Sequence, residues 1–284
     1  MLKWTIGDVT ITRVVEMEFS SPVEQFLPGV KAADMARYRS WMKPFLDGAG
    51  GVLLSVHAFA LEADGQRIIV DTCVGNGKNF GDLVLAFNDL QTAFLDDLAE
   101  AGFPPESVST VICTHLHMDH IGWNTVLRDG KWAPAFPNAR YVMTEMDLSY
   151  WSEHQDHVAG SSFSEAVQPL VDAGLVDAVE PDRQVSPSIS LFPTPGHTPG
   201  HVSVRIRSNG QQGFITGDMA HSPVQLARPQ WSSQADTDAT MAEASRRKFL
   251  SVAADADILV LGTHFPTPTA GRLVSDGDEW RLVT

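Results

Sequence analysis

One junction constrains this chain more than any other feature. Residues 108–114 (VSTVICT) form an apolar, β-branched run that passes without a turn residue into His115-Leu116-His117-Met118-Asp119-His120. A short apolar run of this kind reads as a buried strand, so the polar residues begin where that strand leaves its sheet. A loop at a strand end can gather three imidazoles and a carboxylate that an apolar core could not tolerate. Imidazole nitrogen and carboxylate oxygen suit zinc and similar divalent ions. Neighbours two apart in such a loop can converge on one point, so His115 and His117 read as ligands of one ion, with Asp119 and His120 turned towards a second.

One loop cannot complete two coordination shells, so further ligands are expected at other strand ends. His197 follows the strand run at 189–192 within the Pro- and Gly-fixed turn TPGHTPGH, Asp218 follows 213–216, and His264 follows 258–261. Other strands are predicted at 10–18, 51–62, 67–71, 140–143 and 202–206, with Asp64-Gly65 as the turn between the second and third of these. Helical periodicity occupies 31–45, 87–101, 164–173 and 239–254, and in the second of these Asn88 reads as the N-cap. Strands and helices alternate through short connections, which makes the class α/β.

No Ser/Gly linker or charge block interrupts the 284 residues, so one domain over 1–284 is expected, with 19–50 as a partly helical insertion. The apolar stripe of 31–45 (Met35, Tyr38, Trp41, Met42) packs on the core or serves as a lid or homodimer surface. Lys and Arg total 20 against 35 Asp and Glu, a net charge of −15 that disfavours nucleic acid and anionic membranes as partners and leaves a small-molecule substrate. Cys73 and Cys113 lie in apolar surroundings and read as buried thiols. No basic-then-apolar leader or long apolar span appears, so a cytoplasmic location is expected.

THLHMDH, PGHTPGH, the Gly217-Asp218 pair and Gly262-Thr263-His264 occur in the order found in the metallo-β-lactamase superfamily, which this chain resembles from about residue 50 to 270. RIIVDTCVG, ending its strand at Asp71, is similar to the family's first motif. The resemblance implies an αββα sandwich, two mixed β-sheets packed together with helices outside and metals at one edge. It implies that His115, His117 and His197 hold one ion, that Asp119, His120 and His264 hold the other, and that Asp218 bridges them. Two divalent ions, zinc foremost, would share a hydroxide that is nucleophilic near neutral pH. Asp71 would orient a ligand or water from behind.

Within the superfamily, the bridging Asp218 argues against class B β-lactamases, and the acidic tail at 276–280 against glyoxalase II-type thioesterases. Flavin-linked diiron members usually carry a Glu among the ligands and an extra domain, and RNA-processing members act on polyanions. The chain is most similar to the N-acyl homoserine lactonase and methyl parathion hydrolase-like branch, which implies opening of a lactone or related ester in the manner of quorum-quenching enzymes. The neighbouring readings are phosphotriester or thioester hydrolysis at the same metals. A non-hydrolytic metal-binding member or a mononuclear-iron redox member is a further reading. Two departures matter. His221 stands three residues beyond Asp218, where lactonases can carry a Tyr, and is a candidate hydrogen-bond donor or general acid beside the metal-held Asp119 and Asp218. Trp123 follows Gly122 where many relatives have two glycines, and with Phe45, Trp132, Trp151 and Phe265 is a candidate wall of the substrate pocket.

Overall fold

The computed structural model describes residues 1–155 and 162–284. The chain packs into two compact units: Met1–Thr5, Val9–Glu16 and Val56–Glu180 in the first, Ile6–Asp8, Met17–Ser55 and Pro181–Thr284 in the second.

The strands associated with the first unit are β1 (Lys3–Ile6), β2 (Val9–Ser21), β3 (Val52–Ala63), β4 (Gln66–Val70), β5 (Thr110–Ile112), β6 (Thr125–Arg128), β7 (Lys131–Pro134), β8 (Arg140–Thr144) and β9 (Val176–Val179). Seven of them form a mixed sheet in the order β1-β2-β3-β4-β5-β8-β9, and β6 and β7 form a separate hairpin. β3 and β4 pair antiparallel across the expected Asp64-Gly65 turn, whose φ values of 53° and 75° are those such a two-residue turn requires. β4, β5, β8 and β9 are parallel neighbours. Parallel central strands are covered on both faces, which is why β5 is buried at every position rather than alternating.

The second unit holds a six-stranded mixed sheet, β10 (Ile189–Pro193), β11 (Val202–Ser208), β12 (Gln211–Ile215), β13 (Ile258–Leu261), β14 (Ala270–Asp276) and β15 (Glu279–Val283), hydrogen-bonded in sequence order. β12 and β13 are its parallel pair, and the helix Ala239–Ala253 is the crossover between them. Asp238 caps that helix by accepting the Met241 amide at 2.9 Å.

Three helices differ from the periodicity, among them 164–173, which divides into Phe163–Ala166 and Gln168–Asp172. The stretch 31–45 is not continuous: it divides into the 3-10 turn Asp34–Tyr38, the helix Arg39–Met42 and the turn Lys43–Phe45. Its stripe is nevertheless buried, with Met35, Tyr38, Met42 and Phe45 in the core of the second unit beside Phe214, Phe249 and Leu273. The helix expected over 87–101 is reduced to Phe94–Glu100. Asn88 does not cap it; its side chain accepts from the Phe80 amide at 2.7 Å and donates to the Gly81 carbonyl at 2.9 Å. Asp89, at φ 53°, then turns the chain out of helical space. Among the described residues no helix is long and apolar enough to cross a membrane.

Candidate functional site

In the first unit the segment after β5 is laid against the segment after β4. The backbone amides of Thr72, Gly122 and Trp123 donate to His120 O, Cys73 O and Thr72 O at 2.7, 2.7 and 2.8 Å. Asp71 is buried and collects three groups of the histidine loop: the Thr114 amide at 2.8 Å, the Thr114 hydroxyl at 2.9 Å and His120 Nδ1 at 3.0 Å. A carboxylate so engaged fixes which His120 nitrogen is committed, so Nε2 is the one turned towards Asp119 Oδ1, 3.7 Å away. Met118–Ile121 forms one short helical turn, and the His115 ring lies 4.6 Å from that of His117 and 4.1 Å from that of His120, centroid to centroid. All three imidazoles are buried. Crowding of this kind is costly unless a cation is shared among the rings.

In the second unit the turn after β10 carries His197, the turn after β12 carries Asp218 and His221, and the turn after β13 carries His264. Three imidazole nitrogens approach one oxygen, Asp218 Oδ2: His197 Nε2 at 3.4 Å, His221 Nε2 at 3.1 Å and His264 Nε2 at 3.1 Å. His264 Nδ1 lies 3.0 Å from the Ser55 carbonyl, which can only accept, so that nitrogen carries the proton. His197 Nδ1 likewise faces Asp236 Oδ1 at 3.0 Å. His197 and His264 therefore have Nδ1 committed to an acceptor and turn Nε2 towards a carboxylate oxygen, the side on which a cation would be held. This donor set fits a divalent ion. Ligand atoms of Asp218, His221 and His264 lie within 4.8 Å of one another, as do those of His197, His221 and Asp236.

His201 supports this centre without joining it. Its Nδ1 faces the Thr194 carbonyl at 3.0 Å and its Nε2 accepts the Asp218 amide at 2.8 Å, so the ring is neutral and clamps the Asp218 backbone. His221 is held by burial below the ordinary histidine range, against the opposing pull of Asp218. Its Nδ1 is buried without a hydrogen-bond partner, and Phe26 packs its ring edge-on at 5.4 Å.

Of the candidate wall residues, Trp123, Trp132 and Trp151 belong to the first unit and Phe45 and Phe265 to the second. Trp151 lies against the His117 ring at 5.0 Å. Trp123 stacks on Phe94 at 5.8 Å and donates its indole N–H to Glu16 at 2.6 Å. Phe45 and Phe265 meet edge to face at 6.0 Å in the core of the second unit, and Trp132 carries Lys78 over its ring at 3.6 Å. His154 ends the helix Glu145–Glu153 and stacks on Tyr150; His157 lies outside the described residues. Cys73 and Cys113 are free and buried, and burial raises both thiols, so neither is a ready ligand or nucleophile.

Asp236, Arg246, Glu16 and Ser55 escaped the sequence reading. For Arg246 a signal existed: it sits on the apolar stripe of its helix with Ala242, Phe249, Leu250 and Ala253, where an arginine is out of place unless buried and paired. Asp236 stands in a polar stretch with no metal-ligand spacing, and Ser55 contributes only its carbonyl, so neither is marked by residue type.

Residues 51–264 match the Metallo-beta-lactamase superfamily. An N-acyl homoserine lactonase of a Bacillus species is 27% identical over 165 residues, which is 55% of this chain and 59% of that protein. One from Bacillus thuringiensis is 25% identical over 172 residues, 57% and 62% of the two chains. The match thus spans about three fifths of the length of these curated relatives. Among solved structures, the hydrolase AbOPH of the beta lactamase superfamily aligns with a TM-score of 0.82 at 24% identity, over 99% of this chain and 96% of that one. AidC, a dizinc quorum-quenching lactonase, aligns at 0.80 with 21% identity, over 99% and 96%. At such identities the likeness is one of fold, the α/β metallo-β-lactamase fold that the sequence motifs imply. With the family match covering most of its length, the chain belongs to the metallo-β-lactamase superfamily.

Proposed function

We propose that this protein is a metal-dependent hydrolase that opens a lactone or a related carboxylic ester. In this reading His115, His117, Asp119, His120, His197, Asp218 and His264 would hold two divalent ions, zinc foremost. The observation that carries it is the approach of three imidazole Nε2 atoms to Asp218 Oδ2, with the far nitrogens of His197 and His264 already committed to acceptors. The lactonases among the relatives, and the dizinc lactonase among the structural neighbours, support the choice of ions and of substrate class.

When bound, the two ions would lower the pKa of a water to near neutrality and polarise the scissile carbonyl. The protein's own part is to hold and to donate hydrogen bonds. Asp119 and Asp218 fix the imidazoles around them, and Asp71 keeps His120 in one tautomer. His221, whose pKa burial lowers against the pull of Asp218, stands 3.1 Å from Asp218 and is placed to donate a hydrogen bond to the oxygen that gains charge as the ring opens. No serine or cysteine nucleophile is needed. Trp123, next to the histidine loop, is proposed as part of the substrate wall, with Trp151 against His117.

Acid release in a pH-stat by the zinc-loaded protein tests this. The panel is a set of N-acyl homoserine lactones, simple lactones, aryl esters, a thioester and a phosphotriester. Preferential lactone opening is expected. Turnover confined to the phosphotriester or thioester would replace the substrate assignment, and silence across the panel would remove the hydrolase reading in favour of a redox or binding role. His221→Phe should lower kcat by about 100- to 10,000-fold if the imidazole transfers a proton. An unchanged kcat removes His221 from the chemistry.

A further inference from the structure

Arg246 lies in the middle of the helix Ala239–Ala253 and is wholly buried. Its guanidinium donates from Nε to Pro229 O at 2.7 Å, from Nη1 to Met219 O at 3.1 Å and from Nη2 to Ser232 Oγ at 2.9 Å. Nη1 also lies 3.4 Å from Asp236 Oδ2. Met219 is the residue after Asp218, and the other oxygen of Asp236 faces His197 Nδ1. One buried cation therefore reaches two of the three segments of this unit that carry proposed metal ligands, those of His197 and Asp218.

The surroundings leave this assembly little freedom. Asp236 Oδ2 also accepts the Ser233 amide at 3.1 Å, and the amides of Thr237 and Asp238 donate to His197 O and Gly196 O at 3.0 and 2.8 Å. Ser245, one residue before Arg246, donates to Pro195 O at 2.5 Å. Gly196 stands at φ +130°, and a Cβ there would meet the Ala242 amide nitrogen at 2.1 Å, so only glycine lets the turn seat on this helix. A buried Arg–Asp pair is weak as a source of stability, because desolvation of both charges offsets their attraction.

We infer that Arg246 and Asp236 are positioning residues for metal capture. Asp236 sets the tautomer and ring plane of His197 so that Nε2 faces Asp218, and Arg246 fixes Asp236 while anchoring the backbone next to Asp218. The inference rests on the reading of His197 and Asp218 as ligands. Hydrogen-bond partners behind a metal-bound imidazole typically alter metal affinity by 10- to 100-fold. Neither residue touches substrate in this account, so the loss should appear in metal affinity ahead of kcat at saturating metal.

The experiment titrates metal-free full-length protein with Zn²⁺ against a chromophoric chelator, for wild type, Asp236→Asn, Arg246→Met and Arg246→Lys. Asp236→Asn and Arg246→Met are expected to bind zinc about 10- to 100-fold more weakly, mainly in one of two ions, and Arg246→Lys to regain part of the loss. Should Arg246→Met fail to fold, the nearly isosteric Asp236→Asn carries the test. Imidazole ¹⁵N spectra of the zinc-loaded wild type give a second readout: ligation of His197 through Nε2 with a proton on Nδ1 is expected, and ligation through Nδ1 overturns the inference. If wild type binds two ions and Asp236→Asn binds them as tightly, this inference fails alone. If wild type binds none, the reading of the site fails and this falls with it.

Discussion

Asp71 stands in the left-handed region at φ 59°, and Cys73 two residues later at 53°. Such positions cost energy and persist where surrounding bonds over-determine them, as the bonds from Asp71 to Thr114 and His120 do here. Asp71→Ala would leave those buried donors without their acceptor. We expect a loss of about 3 kcal/mol or more in urea unfolding, together with weaker zinc binding through a loosened His120; a variant as stable as wild type would show that Asp71 is dispensable. Asp71 was legible because it ends an apolar strand in a familiar motif. So, as candidate ligands, were the histidines and Asp218, because three imidazoles and a carboxylate within six residues leave a strand end together and Asp218 follows a Gly after another apolar strand. Asp236 was not, because its role depends on an imidazole 39 positions away.

At the scale of elements, the strands that were expected were read more faithfully than the helices, while β1, β6, β7, β9, β14 and β15 went unread. β13 coincides with its apolar run, and β5, β8 and β10 to β12 differ only at their ends, because buried strands declare themselves by continuous apolar sequence. Helices at 31–45 and 87–101 were over-extended because periodicity records which residues are buried and not whether the backbone between them stays helical. Met35, Tyr38, Met42 and Phe45 keep helical spacing through three separate turns. The packing of the loop after β4 on the loop after β5 yields a prediction at the same scale. A Cβ at Gly122 would stand 1.7 Å from Val74 O, which no side-chain motion can relieve. Gly122→Ala should therefore cost about 1–3 kcal/mol and displace the histidine loop. Full stability with unchanged zinc affinity would contradict that packing.

For the molecule as a whole, Lys78 sets an opposing pH dependence. Burial, only partly offset by Glu165, brings its ammonium down from 10.5 to about 8. Below about pH 8 both folded and unfolded states hold the proton, and the folded state bears the full cost of a buried charge. Between about 8 and 10.5 the unfolded chain binds more protons, so this contribution makes stability rise with pH. Lys78→Met should accordingly be more stable than wild type at pH 7, by at most about 3 kcal/mol, with the gap closing towards pH 10. Urea unfolding of both proteins across that range checks it; a gap that does not narrow contradicts it.

The family and its fold followed from four motifs in order, whereas substrate choice depends on side chains such as Trp123 and Trp151, whose placement periodicity does not encode. The central claim is that two ions are needed for lactone opening. Metal-free protein titrated with Zn²⁺ while turnover of an N-acyl homoserine lactone is followed puts it to the test. Turnover should climb until two equivalents per chain and then level off. A plateau at one equivalent, or a rate independent of zinc, would contradict the account.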